Sequence, residues 1–597
     1  MFERISDYIL EHQTTIKKRF QLVLTLFSVF TLLVWILQYG FYTGETVVHI
    51  ARVELLVALW LYIVSAVFRV YVGLVCRDSR KRIFRIFIPL LFALTFQALW
   101  WFNVFGITDP TLMYVIYRDV PIAVFILFEF TTSNFKIYQF KLNPSLVYIL
   151  SFLALIGIGT ILLSLPRATT SPMSFLDTVF TSTSAVCVTG LIVADTAKDF
   201  TPFGKGILLM LIQIGGLGVV TFTYFFGYFF QGSTSLRSTL YLKNMVSADN
   251  MGSTLRTILR IVLVTLSVEA AGAVFIYFSI DPGLFASEGD RISFSVFHAI
   301  SAFCNAGFST LSNGLYDAGF RYNYVFQLVI IVLVVVGGIG FPSISNIGRL
   351  LRYRLLQFYA MLFRRDQMAK LPRLLNLNSR LAIISSFILL GAGFFAFAAF
   401  ESQSVLTEHD SWFGKAITSL FGSMTTRTAG FNTFDLTELT MPTLIVMLAL
   451  MWIGASPSST GGGIKTVTFS VAFLNILNIG RGKDRLEISR REISNDTVQK
   501  AFSIIILSLM LIAFATTMLM YTDPQIAPHR LIFEVFSAVG TVGLTLDVTP
   551  NLSPGGKVVI ILCMFIGRVG AITLLTALTR KVVSLRYRYP REELHVG

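Results

Sequence analysis

The chain has 597 residues, of which 54% are apolar and 14% charged, and its formal net charge is +15. A soluble chain averages about 25% charged residues, so a row of soluble domains is excluded, and the lack of alternating strand-like stretches excludes an outer-membrane barrel. The basic residues are spread over connections rather than gathered in one patch, which excludes nucleic acid as a partner and points to membrane topology.

The first nineteen residues are largely polar and precede no small-residue cleavage site, so no removable leader is expected and the first apolar run stays as a helix. Apolar runs at 21–37, 53–75 and 87–105 approach the ~20 residues that cross hydrocarbon. With one further helix they make residues 1–143 an N-terminal extension of about four spans. Trp100 and Trp101 read as interface anchors, while Glu54, Arg69 and Glu129 have no sequence-level reading. Cys76, Cys187, Cys304 and Cys563 show no paired spacing, and the six histidines are dispersed, so neither a disulfide framework nor a zinc site is indicated.

From residue 144 onward one short passage occurs four times. It reads Ser184-Ala185-Val186-Cys187-Val188-Thr189-Gly190-Leu191, then Ser301-Ala302-Phe303-Cys304-Asn305-Ala306-Gly307-Phe308. The third copy is Met424-Thr425-Thr426-Arg427-Thr428-Ala429-Gly430-Phe431 and the fourth Ser537-Ala538-Val539-Gly540-Thr541-Val542-Gly543-Leu544. The glycines recur about every 120 residues, a period that implies repeated units about one axis. Each passage lies in a segment too short to cross, between two apolar runs that can: 145–165 and 206–230, 257–279 and 324–348, 380–400 and 441–478, 501–521 and 557–579. Each reads as a re-entrant half-helix with an extended return, tolerated at membrane depth only where protein or water surrounds it. The expected units are 144–230, 231–350, 351–480 and 481–582, followed by a tail at 583–597. A second glycine landmark falls about 24–30 residues after each passage: Gly215-Gly216-Leu217-Gly218, Gly337-Gly338-Ile339-Gly340, Gly454-Ala455-Ser456-Pro457 and Gly567-Arg568-Val569-Gly570. Close helix packing accounts for any one of these; two landmarks in matching order indicate homologous repeats.

Charge sets the orientation. With Lys17, Lys18 and Arg19 in the cytoplasm, four spans return the chain inside at Lys136 and Lys141. The basic connections at 231–256, 349–380 and 480–500, and the tail with Arg580, Lys581, Arg586, Arg588 and Arg591, then fall inside, and every half-helix enters from outside. The total is about twelve crossings. The expected fold is an all-α polytopic membrane protein with four helix–pore-loop–helix repeats in pseudo-fourfold array.

Four glycine-bearing turns without a carboxylate suit a dehydrated cation, whose water shell is replaced by rings of backbone carbonyls. Glycine reaches the required backbone angles at little steric cost, and the half-helices would aim their negative ends at the axis. No carboxylate lies in the passages, which argues against a divalent-selective ring. Monovalent cations follow from this; potassium over sodium does not follow from these residues alone.

These passages resemble the four filters of the Trk/Ktr/HKT potassium transporters. Ser456-Pro457-Ser458-Ser459-Thr460-Gly461-Gly462-Gly463-Ile464-Lys465-Thr466 is similar to that family's glycine-rich loop, and Gly567-Arg568-Val569-Gly570 to its last-helix arginine motif. The resemblance covers about residues 145–582. It implies potassium uptake across the cell membrane by a homodimer that is not an enzyme and has no cofactor. A separate cytosolic nucleotide-binding ring would regulate it. It implies backbone potassium sites at Val188, Thr189, Gly190, Asn305, Ala306, Gly307, Thr428, Ala429, Gly430, Thr541, Val542 and Gly543. It implies a gate at Ser456, Pro457, Thr460, Gly461, Gly462, Gly463, Lys465 and Arg568. Glycine at all four filter positions goes with potassium in that family, and serine in the first with sodium in some members. A sodium-permeable or cation-coupled transporter is the alternative; a membrane-embedded enzyme is a remote one, since no acid–base or metal constellation is visible.

Proline and three glycines disfavour a continuous helix through 456–465 by a few kcal/mol, and Arg568 is an intramembrane charge, a functional candidate by default. Arg427 reads as a clamp on the third return strand. Glu269 reads as a buried hydrogen-bonding residue. Gly-Gly-Gly-Ile-Lys-Thr is no phosphate loop, because Ile464 separates glycine from lysine within a membrane span.

Overall fold

The computed structural model describes residues 13–41, 45–75, 80–101, 115–132, 144–218, 254–362, 376–483, 485–489 and 491–579. The tail, all but the last three residues of the connection expected at 231–256 and most of that at 131–143 lie outside these residues, as do the side chains of Trp100 and Trp101. Among the described residues six helices are long and apolar enough to cross a membrane, or eight if each of two bent pairs is one span.

Helices α1 (Gln13–Gly40), α2 (Glu45–Val75) and α3 (Arg80–Trp101) match the first three apolar runs. The fourth helix, α4 (Val120–Thr132), follows a π-helical turn at Val115–Asp119. They enclose a small core around Leu59, Tyr62, Ala93 and Phe125, with the Tyr62 and Phe125 rings stacked at 5.2 Å. Two of the charges that had no sequence-level reading explain each other here: Arg69 meets Glu129 at 2.7 Å. Arg118 bonds Asp119 at 2.7 Å, and Asp119 accepts from Tyr39. Intramembrane charges placed so are paired rather than left in hydrocarbon. The extension touches the rest of the chain through the end of α1, where the Arg167 N–H donates to Gly40 O at 3.0 Å and Tyr39 stacks on Phe203.

The remainder repeats one three-element unit: long helix, short helix ending in a glycine turn, second helix. The first unit is α5 (Pro144–Leu163), α6 (Phe175–Val186) and α7 (Pro202–Leu217); the second is α8 (Thr254–Ser279), α9 (Glu288–Phe303) and α10 (Tyr324–Ile339), continued by α11 (Phe341–Leu362). The third is α12 (Leu377–Phe400), α13 (Trp412–Thr425), α14 (Met441–Trp452) and α15 (Thr466–Gly480). The fourth is α16 (Asn495–Thr522), α17 (Pro528–Gly540), α18 (Pro554–Val569) and α19 (Ala571–Leu578).

Local sequence starts and stops these helices. Ser174, Ser287 and Ser411 cap the short helices by accepting from the backbone N–H groups of Asp177, Asp290 and Gly414. The start of each second helix is latched to the end of its unit's first. Thr201 Oγ1 donates to Arg167 O at 2.6 Å and Asn323 Nδ2 to Ser279 O at 2.7 Å. Thr440 Oγ1 donates to Glu401 Oε1 at 2.8 Å and Ser553 N to Asp523 Oδ1 at 2.7 Å. Such bonds use up orphan polar groups that hydrocarbon could not satisfy.

Polar contacts also run from unit to unit. Gln213 bonds Glu269 at 3.1 Å, Tyr324 meets His409 at 3.0 Å and Trp452 bonds Ser508 at 3.1 Å. Lys557 then reaches Asp177 at 2.6 Å and joins the last unit to the first.

The second helices do not run straight. In units one, two and four they end at positive-φ glycines, Gly218, Gly340 and Gly570, and the chain bends by 105° between α10 and α11 and by 86° between α18 and α19. Two expectations need correction here. The apolar run 324–348 is a bent pair rather than one span, because Gly340 at φ 89° leaves the helical region. The basic stretch from Arg349 is helical through Leu362 instead of a connection, so the boundary expected at 350/351 cuts α11.

Candidate functional site

The ends of α6, α9, α13 and α17 meet at one place. In each passage the residue two before the glycine is left-handed: Val188 (φ 55°), Asn305 (58°), Thr428 (67°) and Thr541 (49°). The glycine itself has φ 92° at Gly190, 71° at Gly307, 76° at Gly430 and 95° at Gly543. A β-branched residue in that region carries ~1–3 kcal/mol of strain, which persists only where the surroundings impose it. Three of the four are Val or Thr, so four short polar sequences have been bent to one shape.

A hydroxyl braces each turn. Ser184 Oγ accepts from Gly190 N and Ser537 Oγ from Gly543 N, both at 3.1 Å. Ser301 Oγ donates to Phe308 O at 2.7 Å, and Thr425 Oγ1 to Phe431 O. The serines stand six residues before their glycines, whereas the third unit has Met424 there and uses the neighbouring Thr425.

The turns close into a ring in chain order. A Cβ on Gly190 would lie 2.4 Å from Ala306 O, one on Gly307 2.8 Å from Ala429 O, one on Gly430 2.4 Å from Val542 O, and one on Gly543 2.2 Å from Thr189 O. Four glycines therefore interleave with the carbonyls of Thr189, Ala306, Ala429 and Val542. The short helices present their C-terminal, electronegative ends to this ring.

On the side of the extended returns lies a vestibule of about 580 Å³. Gly190, Gly307, Gly430 and Gly543 are among its lining, with Asp195, Asp199, Asp435 and Asp547 and no Lys or Arg. Three units thus place a carboxylate four or five residues past the glycine, just outside the carboxylate-free passages.

On the opposite side a loop from Ile453 to Lys465 replaces the glycine break of the third unit. It folds back on itself: Ala455 N donates to Gly462 O at 3.3 Å and Thr466 N to Ala455 O at 3.2 Å. Ser456 N and Thr460 N donate to Gly338 O and Gly337 O in the second unit. Lys465 Nζ donates to Gly461 O at 2.7 Å, and Ser459 Oγ to Ser456 O at 2.6 Å. The loop lies against the ring, since a Cβ on Gly461 would meet Thr428 Oγ1 and one on Gly462 would meet Thr541 Oγ1, each at 2.1 Å. Pro457 O approaches Gly340, and Gly463 takes φ 66°. Arg568, in the last turn of α18, donates to Thr460 O and to Gly215 O, and so ties the loop to the first unit.

All of the expected filter and loop residues are therefore brought into one place. Arg427 donates to Ser386 O at 2.9 Å and Gly454 O at 3.4 Å, linking α12 to the start of the loop. Glu269 is buried against Gln213 and Cys304. The matching glycines Gly215, Gly337 and Gly567 press against the carbonyls of Val186, Phe303 and Val539, where a Cβ would lie 2.0–2.2 Å away. Sequence reasoning missed the vestibule aspartates and the bracing hydroxyls, although the serines were visible at a constant offset. It also missed the side chain of Asn305, which bonds both Thr460 and Thr428.

Comparison with known proteins agrees with this architecture. A family model described as TrkH, cation transport protein, matches residues 122–585. The Ktr system potassium uptake protein B of Vibrio alginolyticus is 34% identical over 456 residues, 76% of this chain and 94% of that one. Its counterpart in Bacillus subtilis is 34% identical over 458 residues, 76% and 97% of the two chains. The potassium/sodium uptake protein NtpJ of Enterococcus hirae is 32% identical over 464 residues, 76% and 98%. The crystal structure of the potassium transporter TrkH from Vibrio parahaemolyticus shares the fold, with a TM-score of 0.59 at 18% identity over 83% of this chain and 97% of that one. The apolar spans and these relatives define a multi-pass membrane protein of the cation-transporter class, not an enzyme. The chain belongs to the TrkH family of cation transport proteins, and most of the N-terminal extension precedes the matched region.

Proposed function

We propose that this protein takes up potassium across the cell membrane through an axial path whose selectivity filter is the ring of four glycine turns. The observation that carries the reading is the interleaving of Gly190, Gly307, Gly430 and Gly543 with the carbonyls of Thr189, Ala306, Ala429 and Val542. Backbone carbonyls of Val188–Gly190, Asn305–Gly307, Thr428–Gly430 and Thr541–Gly543 replace the water shell of potassium. The vestibule aspartates raise the local cation concentration before the filter. The names of the relatives support potassium as the ion.

The loop Ser456–Lys465 is the gate. It lies beneath the filter, and Arg568 holds it closed by bonding Thr460 O while adding a positive charge to the path. The vestibule faces outward, and the loop and amino terminus face the cytoplasm, as the basic residues require. The working unit is a homodimer in the lipid bilayer. Its regulator is a separate cytosolic nucleotide-binding ring docked on the basic cytoplasmic segments.

One observation favours a second reading, a sodium-permeable transporter: NtpJ carries both ions in its name. The test is tracer uptake by vesicles holding the purified chain. Rubidium uptake above that of protein-free vesicles is expected, and its absence with and without the gate loop would overturn the reading.

A further inference from the structure

The loop and the ring are hydrogen-bonded to each other at one point. Thr460 Oγ1 lies 3.3 Å from Asn305 Oδ1 and 3.2 Å from Phe303 O, so its single proton is shared between the second filter turn and the helix end before it. Asn305 Nδ2 in turn donates to Thr428 Oγ1 at 3.2 Å, in the third turn. All three side chains are buried, with 1% exposure at Thr460 and none at Asn305 or Thr428. Asn305 and Thr428 are also the left-handed residues of their turns, so their side chains and the filter backbone move together. The loop treats the four turns unequally. It is bonded to the second and, through Asn305, to the third. It only packs on the fourth, where Thr541 Oγ1 has no partner, and in the first turn Val188 offers no polar atom.

We propose that Asn305 is the positioning residue through which the gate loop sets the geometry of the filter. With the loop in place, Thr460 holds the Asn305 amide and that amide holds Thr428, bracing the second and third turns. When the loop withdraws, Asn305 loses its donor, and a buried acceptor without a partner is costly enough to drive rearrangement. The two turns then relax together, and ion discrimination differs between closed and open loops. This rests on the reading of the ring as filter and the loop as gate, and adds that the two are one coupled unit.

The experiment is rubidium and sodium flux in vesicles for wild type, Thr460→Val, Thr460→Ser, Asn305→Ala, the Thr460→Val/Asn305→Ala double variant and a chain lacking Gly461–Gly463. Thr460→Val keeps the shape of threonine but removes the hydroxyl, and is expected to change the rubidium-to-sodium ratio by about fivefold, the worth of one hydrogen bond. Thr460→Ser, which restores the hydroxyl, is expected to restore the ratio. The double variant is expected to shift the ratio no further than Asn305→Ala alone. Multiplying effects in the double variant, or a Thr460→Val chain with raised flux and an unchanged ratio, would overturn the coupling while leaving the gate in place. Unchanged flux on removal of Gly461–Gly463 would instead overturn the gate reading and the coupling with it.

Discussion

The carbonyl oxygen of Thr189 occupies the space a side chain on Gly543 would need, 2.2 Å from an ideal Cβ, so the first and last turns of the chain touch across the closing seam of the ring. Gly543 also has φ 95°, which L side chains rarely adopt. Gly543→Ala is therefore expected to displace the Thr189 carbonyl and to abolish selective rubidium flux in vesicles. Gly190→Ser meets Ala306 O in the same way at 2.4 Å. It is expected to raise the sodium share of the flux. Wild-type selectivity in either variant would remove the ring from the permeation path.

Arg568 joins the loop to the first unit through carbonyls of Thr460 and Gly215. Hydrogen bonds from a charged donor contribute about 1.5–3 kcal/mol each. Arg568→Ala removes both, and basal rubidium flux is expected to rise by about tenfold or more. Unchanged flux and gating would show that Arg568 neither closes nor guards the path.

Lys557 and Asp177 form an ion pair between the fourth and first units, with side chains 16% and 24% exposed. That places the pair between the exposed and buried limits, and Lys557→Met is expected to cost on the order of 1–3 kcal/mol. A lowered unfolding temperature in detergent, with the rubidium-to-sodium ratio retained, is the expected outcome.

His409 lies in the turn before α13, bonded through Nδ1 to Tyr324 and through Nε2 to Thr418 at 3.0 Å each. Burial pushes the imidazole below its ordinary value of 6.5, against the pull of Glu408 and Asp410 and with help from Arg321 and Lys415. The unfolded chain therefore takes up the proton first. The contribution of His409 to stability is complete above about pH 6.5 and is lost as the pH falls from there through the lower folded value. Unfolding temperature measured against pH is expected to drop on acidification more steeply in wild type than in His409→Gln.

Much of the architecture was legible because membranes permit few backbone arrangements. Runs such as 145–165 have to be helices, and a Ser/Thr/Gly passage between them has to be surrounded by protein. The landmarks at Gly190, Gly307, Gly430 and Gly543 exposed the repeat. What escaped the sequence depends on contacts between units. Nothing in the local spacing joins Asn305 to Thr460 or Lys557 to Asp177, and the vestibule aspartates become a set only once four returns share an axis. The bend at Gly340 was hidden because α10 and α11 are apolar enough together to read as one span. The extension resisted reading for the same reason: Arg69 and Glu129 explain each other, but they stand on different helices.

The most direct test is the ratio of rubidium to sodium flux through the wild-type protein in vesicles at equal concentrations. A ring of carbonyls closed by four glycines predicts rubidium flux well above sodium flux. Equal fluxes of the two ions would contradict the assignment of this ring as a potassium filter.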